Sequence, residues 1–213
     1  SWFADVCGKS HQRLRFYRNA GVGGNTSTAM LARFTADVTA YHPDIVVIGG
    51  VTPNDVGQSV PVATRKSNIQ AMVAAAVADG SRVILATSTP NDTTGTRDSL
   101  VEMNHWLIGW ANTQGIPVLD IYSPLADPAD GTYLPSYTSD GTHPNDTGNH
   151  VIGTAVAAQL PPDLRAVPFL TAAKGDPENL IVNGVFHGDA NADGLADDWS
   201  LIGALSALSL TSL

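Results

Sequence analysis

Asp140 and His143 stand three positions apart in the run Ser139-Asp140-Gly141-Thr142-His143-Pro144. A carboxylate and an imidazole at that spacing, in a turn that leads into a helix, can share one task. The acid fixes the tautomer of the ring, and the ring's other nitrogen takes a proton from a hydroxyl. That is the basic half of a nucleophilic hydrolysis apparatus. Its other requirements are a nucleophile and N–H donors aimed at the charge that develops on the attacked oxygen.

Two further segments offer such donors. Asn19-Ala20-Gly21-Val22-Gly23-Gly24-Asn25-Thr26-Ser27 is a glycine-rich turn ahead of a helix. Alone it fits a tight strand-to-helix turn. A phosphate loop is disfavoured, because no Gly-Lys-Ser/Thr comes after it and Thr26 stands where a dinucleotide fingerprint has its last glycine. Gly49-Gly50-Val51-Thr52-Pro53-Asn54-Asp55 puts a side-chain amide beside a carboxylate just after an apolar run. Alone it too reads as a turn.

Alternating periodicity supplies the elements that must position these groups. Residues 14–18 read as a strand, and Met30, Leu31, Phe34 and Val38 lie at helical spacing behind a cap at Thr26 or Ser27. Residues 45–48 form a β-branched run typical of a strand buried on both faces. Pro53 and Pro61 mark a loop. It leads to a helix whose stripe includes Ile69, Met72, Val73 and Val77 and which ends near Asp79-Gly80. Residues 82–86 are a buried strand, 100–113 an amphipathic helix with Trp106 and Trp110 on one core-facing side, and 116–121 the next strand. A helix over about 146–160 closes the series. Strands alternating with helices of this length predict an α/β fold with a parallel sheet covered on both sides.

Composition narrows the class. The chain of 213 residues suffices for one α/β domain, and 20 acidic against 11 basic residues give a net charge of −9. Nucleic-acid binders need clustered Lys and Arg, so that class is disfavoured. No apolar run approaches the roughly 20 residues of a membrane helix. The single cysteine, Cys7, allows no internal disulfide and reads as a small buried residue. His11, His42, His105 and His150 show no metal-ligand spacing.

Together, the segments 19–27, 49–55 and 140–144 resemble, in order and spacing, the second, third and fifth sequence blocks of the SGNH (GDSL-type) hydrolases. The resemblance covers roughly residues 1–160. It implies a flavodoxin-like three-layer α/β/α sandwich with a parallel sheet. The chemistry it implies is hydrolysis of acyl esters through an acyl-serine, with no cofactor for catalysis. Position by position, His143 would be the general base and Asp140 its orienting carboxylate. The backbone N–H of Gly24 and the amide of Asn54 would form the oxyanion hole. Each such donor is typically worth about 3–4 kcal/mol. Asp55 would brace the loop rather than react.

The nucleophile is the missing part. The family's Gly-Asp-Ser block is expected a few residues ahead of Ser1, because residues 2–6 resemble the stretch immediately downstream of that block. Ser10 lies behind no apolar strand and only 14 residues before Gly24. Ser88 ends a strand, but its context matches no nucleophile block. A flavodoxin-like sheet also needs its first strand between the second and third, so the sequence reads as a window on a longer polypeptide. Without the serine, a fragment is expected to lose turnover on the order of 10⁶.

After residue 160 the character changes. Residues 161–178, with several prolines, read as a linker, and 179–213 as the start of a β-rich accessory module. Asn179-Leu180-Ile181-Val182-Asn183-Gly184 resembles the first strand of a jelly-roll carbohydrate-binding module. Asp189, Asn191, Asp193 and Asp197 fit a calcium-loop spacing, with Gly194 at the bend and Ser200 in the place of the usual Glu. A structural calcium and a solvated acidic turn both fit. The expectation is an extracellular, secreted or surface-associated esterase for small acyl (above all acetyl) esters or an acylated glycan. The competing expectation is a non-catalytic glycan-binding or structural module of a cell-surface or virion fibre protein.

Overall fold

The computed structural model describes residues 14, 16–49, 53–161 and 164. The chain divides into two compact units, Ser1–Arg165 and Ala166–Leu213, and the described residues all belong to the first. Cys7, Ser10, His11, the linker beyond residue 164 and the expected calcium loop lie outside the described residues.

Among the described residues three parallel strands pair in chain order: β1 (Ile45–Gly49), β2 (Arg82–Ala86) and β3 (Val118–Leu119). Ile45 faces Arg82 and Gly49 faces Ala86 across the first ladder, and Leu85 faces Val118 across the second. The helices are α1 (Ser27–Asp37), α2 (Pro53–Gly57), α3 (Val62–Ala78), α4 (Thr94–Gln114) and α5 (Asp146–Gln159).

The period-two alternation of β-strands explains the layering. Val46, Ile48, Val83 and Leu85 project to one face, where they pack with Phe34 of α1, Ile69, Met72 and Val73 of α3, and Met103 and Leu107 of α4. Ile84, Ala86 and Leu119 project to the other face, against Ile152 and Val156 of α5 and the loop residues Ile121 and Leu125. Most of these side chains are fully buried, each contributing roughly 1.5–3 kcal/mol. The result is a three-layer α/β/α arrangement, as expected.

Four local expectations need correction. Residues 16–22 carry no regular element. Phe16 and Tyr17 are 52% and 69% exposed, and no strand among the described residues runs alongside to form a ladder. The strand expected over 116–121 shrinks to Val118–Leu119, because the Asp120 carboxylate accepts from the backbone N–H groups of Tyr122 and Ser123 and turns the chain. Helix α4 starts at Thr94, six residues earlier than the apolar stripe indicates, through a first turn that is mostly exposed. The loop after β1 contains the short helix α2, with Pro53 at its first position, where a missing N–H costs nothing. Trp106 and Trp110 stack on each other at 5.6 Å and pack, partly buried, against the core.

Candidate active site

In open parallel sheets the segments beyond the carboxyl ends of the strands form the functional rim. Here the segment beyond β1 carries Asn54, that beyond β2 carries Asn91 and Asp92, and that beyond β3 carries Asp140 and His143.

Asp140 and His143 are brought together directly. His143 Nδ1 lies 2.8 Å from Asp140 Oδ2, so the ring donates from Nδ1 and leaves Nε2 as the proton-accepting nitrogen. The other oxygen, Oδ1, accepts the backbone N–H of His143 at 2.8 Å and of Thr142 at 2.9 Å. Those donors, with the imidazole foremost, hold the Asp140 carboxyl well below the usual carboxylate range. The His143 side chain is 78% exposed, so a base that must reach a substrate is open to one.

The loop that carries the pair is tied down from two sides. Within it, Thr138 Oγ1 donates to the carbonyl of His143 at 2.8 Å and accepts from Gly141 N at 3.0 Å. From the β2 side, Asp92 N donates to the Gly141 carbonyl at 2.8 Å, while Asp92 Oδ1 accepts from Tyr133 N. The Tyr133 hydroxyl donates to the Thr142 carbonyl. Burial pushes that phenol up to about 12, so it remains a donor throughout the working range. Behind the loop, α5 is capped by Asn145, whose side chain accepts from Gly148 N and whose own N–H donates to the Tyr137 carbonyl.

Gly24 and Asn54 are also brought together. Gly24 takes φ +78°, a left-handed conformation that favours glycine. Its carbonyl accepts from the Gln58 side chain at 3.2 Å, and the next carbonyl, of Asn25, accepts from the Asn54 amide at 3.2 Å. Thr26 caps α1, accepting from Ala29 N. Asp55 is fully buried. Its Oδ1 accepts from both the backbone N–H and the hydroxyl of Ser27, the first residue of α1. A carboxylate there satisfies an otherwise orphan helix N–H and suits the helix dipole. Asn68 of α3 donates in turn to the hydroxyls of Ser27 and Thr28, and Arg65 donates to the Asp55 carbonyl. The bracing expected of Asp55 is thus a buried polar network that joins three helices.

Ser88 and His42 have structural partners. Ser88 is buried, and its backbone exchanges hydrogen bonds with the Asn104 side chain of α4. His42 pairs with Asp79 at 2.8 Å, near the amino-terminal end of the sheet. Among the described residues no group of His, Cys, Asp and Glu has metal-site geometry. No helix among them is long and apolar enough to cross a membrane. An open cavity of about 710 Å³ runs along α4, lined by Arg97, Glu102, His105, Tyr122 and Asp130. Its lining contains none of Gly24, Asn54, Asp140 and His143. The candidate chemistry belongs to the polar rim rather than to this cavity. Thr138, Asp92, Gln58 and Asn68 escaped sequence reasoning, because single polar side chains in loops and on helix flanks carry no periodic signal.

No curated protein matches the chain. Among solved structures, one described as a lipolytic protein of the G-D-S-L family from Desulfitobacterium hafniense is 30% identical. The match has a TM-score of 0.67 and covers 75% of this chain and 88% of that one. An acylhydrolase by description, from Bacteroides fragilis, is also 30% identical, at a TM-score of 0.62 over 73% and 78% of the two chains. Axe2, an acetylxylan esterase from Geobacillus stearothermophilus, shares the fold at 20% identity, with a TM-score of 0.63 over 74% and 80%. The profile of the GDSL-like Lipase/Acylhydrolase family matches residues 1–151, which include the Asp140–His143 pair, Gly24 and Asn54. With residues 1–151 of the 213 inside that match, this protein belongs to the GDSL-like lipase/acylhydrolase family.

Proposed function

We propose that this protein hydrolyses small acyl esters, acetyl esters of a polyol or polysaccharide above all, with His143 as general base. A serine hydroxyl, assigned by family resemblance to the first block, attacks the ester carbonyl while Nε2 of His143 takes its proton. The oxygen that becomes negative is held by the Gly24 N–H and the Asn54 amide. Collapse of the adduct breaks the bond to the alcohol, which leaves with the proton from His143. Water then repeats the sequence on the acyl-serine and releases the acid.

The observation that carries this reading is the 2.8 Å contact between His143 Nδ1 and Asp140 on an exposed rim. The surroundings argue for a small acyl group on a hydrated alcohol. Thr138, Ser139, Thr142, Asn91 and Asp92 around the dyad are polar, a setting that suits hydroxyl-rich substrates better than a long alkyl chain. The acetylxylan specificity named for Axe2 is of the same kind, although that likeness extends only to the fold.

The test is hydrolysis of p-nitrophenyl acetate and release of acetate from acetylated xylo-oligosaccharide by the full-length polypeptide. Activity should fall steeply with acyl length, and His143→Ala should lower kcat by at least about 10³-fold. Undiminished turnover in that variant would remove His143 from the chemistry. A preference for long acyl chains would overturn the substrate class.

A further inference from the structure

Thr138 ties together more of the catalytic loop's backbone than any side chain outside the dyad. Its hydroxyl oxygen lies 2.8 Å from the His143 carbonyl, 3.0 Å from Gly141 N and 3.3 Å from Asp140 N. One hydroxyl has one proton to give and two lone pairs to accept with. The shortest contact takes the proton, and the two N–H groups occupy the lone pairs. The same oxygen is 3.5 Å from Asp140 Oδ1, too long to compete for the proton. Thr138 also forms an antiparallel bridge with Pro144, so its own backbone is fixed on the far side of the loop.

We propose that Thr138 is a positioning residue, whose hydroxyl closes the loop from 138 to 143 and sets the Asp140–His143 contact. The proposal rests on the reading of that pair as the catalytic dyad. Gly141 is left-handed at φ +70°, so the turn between acid and base has little intrinsic preference to hold it. Both dyad side chains are more than half exposed, so packing does little to immobilise them. Hydrogen bonding is left to fix their separation, and three of its links meet at one oxygen. Threonine brings a further advantage over serine, since its β-branch restricts χ1.

A role of this kind is distinguishable from general structural support. In Thr138→Val, which keeps shape and removes the hydroxyl, the donors to the Asp140 carboxylate lose their alignment. Its titration should then rise toward the ordinary carboxylate value. The His143 Nδ1–H signal should broaden through faster solvent exchange. In Thr138→Ser both should stay close to the parent. These are read on the full-length polypeptide by carbon-detected titration of the Asp140 side chain and by proton–nitrogen spectra of labelled histidine, with thermal melts alongside. Where substrate turnover is measured, kcat should drop on the order of tenfold in Thr138→Val, with KM little changed.

If Thr138→Val leaves the Asp140 titration and the His143 signal at parent values, the proposal is overturned. It is equally overturned if Thr138→Ser fails as badly as Val, since the hydroxyl would then not be what matters. Should Thr138→Val not fold, Thr138→Ala is read by the same two signals against Ser and decides on the same terms. The spectroscopy needs no ester. A parent protein inert toward esters but showing this pattern would retain Thr138's role and reject the esterase reading.

Discussion

Asp140 grips His143 at two points, with one oxygen on the ring Nδ1 and the other on the residue's own backbone N–H, both at 2.8 Å. The double contact ties ring orientation to loop conformation, so neither can change alone. It also explains why a dyad this exposed can stay ordered. A single exposed ion pair is worth little. A carboxylate that also satisfies two backbone donors closes a turn.

Asp140→Asn separates the two functions. An amide can still accept backbone N–H groups through its oxygen, but its NH₂ cannot accept from Nδ1, so the wrong ring tautomer is favoured. We expect kcat to fall between roughly 10²- and 10⁴-fold, with the fold unchanged by circular dichroism. The pH behaviour has a definite sign. The folded carboxyl titrates below its ordinary value of 3.8, so whatever it contributes is complete above that pH. The contribution is lost only as pH falls toward the lowered value. The dyad contact, monitored through the His143 Nδ1–H signal, should therefore persist at about pH 4, where an ordinary Asp is half protonated. The profile of kcat/KM should show no inflection there. An inflection at that pH, absent in Asp140→Asn, would contradict the assignment of the shift.

The legible and illegible parts of the sequence divide along physical lines. β1 and β2 were readable because strands buried on both faces need unbroken apolar runs, as in Ile45-Val46-Val47-Ile48 and Arg82-Val83-Ile84-Leu85-Ala86. The dyad was readable because its geometry is local, an acid and a base three positions apart in one turn. The first turn of α4 was not, since Thr94 to Asp98 carry no large apolar side chain and so leave no periodic trace. The truncation of β3 was not either, because it depends on where Asp120 finds backbone donors. The Asp55 network lay further out of reach. It joins residues 27, 55 and 68, and only the fold brings them together.

That network makes Asp55 a buried acceptor on which α1 depends, next to Asn54 in sequence. Removing its side chain leaves the N–H and hydroxyl of Ser27 without their acceptor in a fully buried place, and each orphaned group costs about 1–3 kcal/mol. Asp55→Ala should lower stability by roughly 2–4 kcal/mol, read as a fall in the urea midpoint at constant slope. Asp55→Asn keeps one accepting oxygen and should lose less than half as much. An alanine variant as stable as the parent would show that the Ser27 contacts carry no weight.

Gly141 lies between the two dyad residues, and two independent constraints exclude a side chain there. Its φ of +70° disfavours any L-residue, by roughly 1–2 kcal/mol. A methyl group built on it would also come within 2.5 Å of Asp92 Oδ2 and 2.9 Å of Asp92 Cβ. The aspartate cannot simply swing aside, because its Oδ1 holds Tyr133 N and its backbone N–H holds the Gly141 carbonyl. Gly141→Ala should therefore displace the loop rather than unfold the domain. The expected signs are a kcat loss of about tenfold or more, with a small change in melting temperature and a weakened His143 Nδ1–H signal. Combining it with Asp92→Ala relieves the clash with the carboxylate but leaves the contact to Cβ and the backbone strain, so the double variant should recover part of the loss and not all of it. Full recovery would assign the whole effect to the Asp92 carboxylate, and no recovery would assign it to the left-handed backbone together with the contact to Asp92 Cβ.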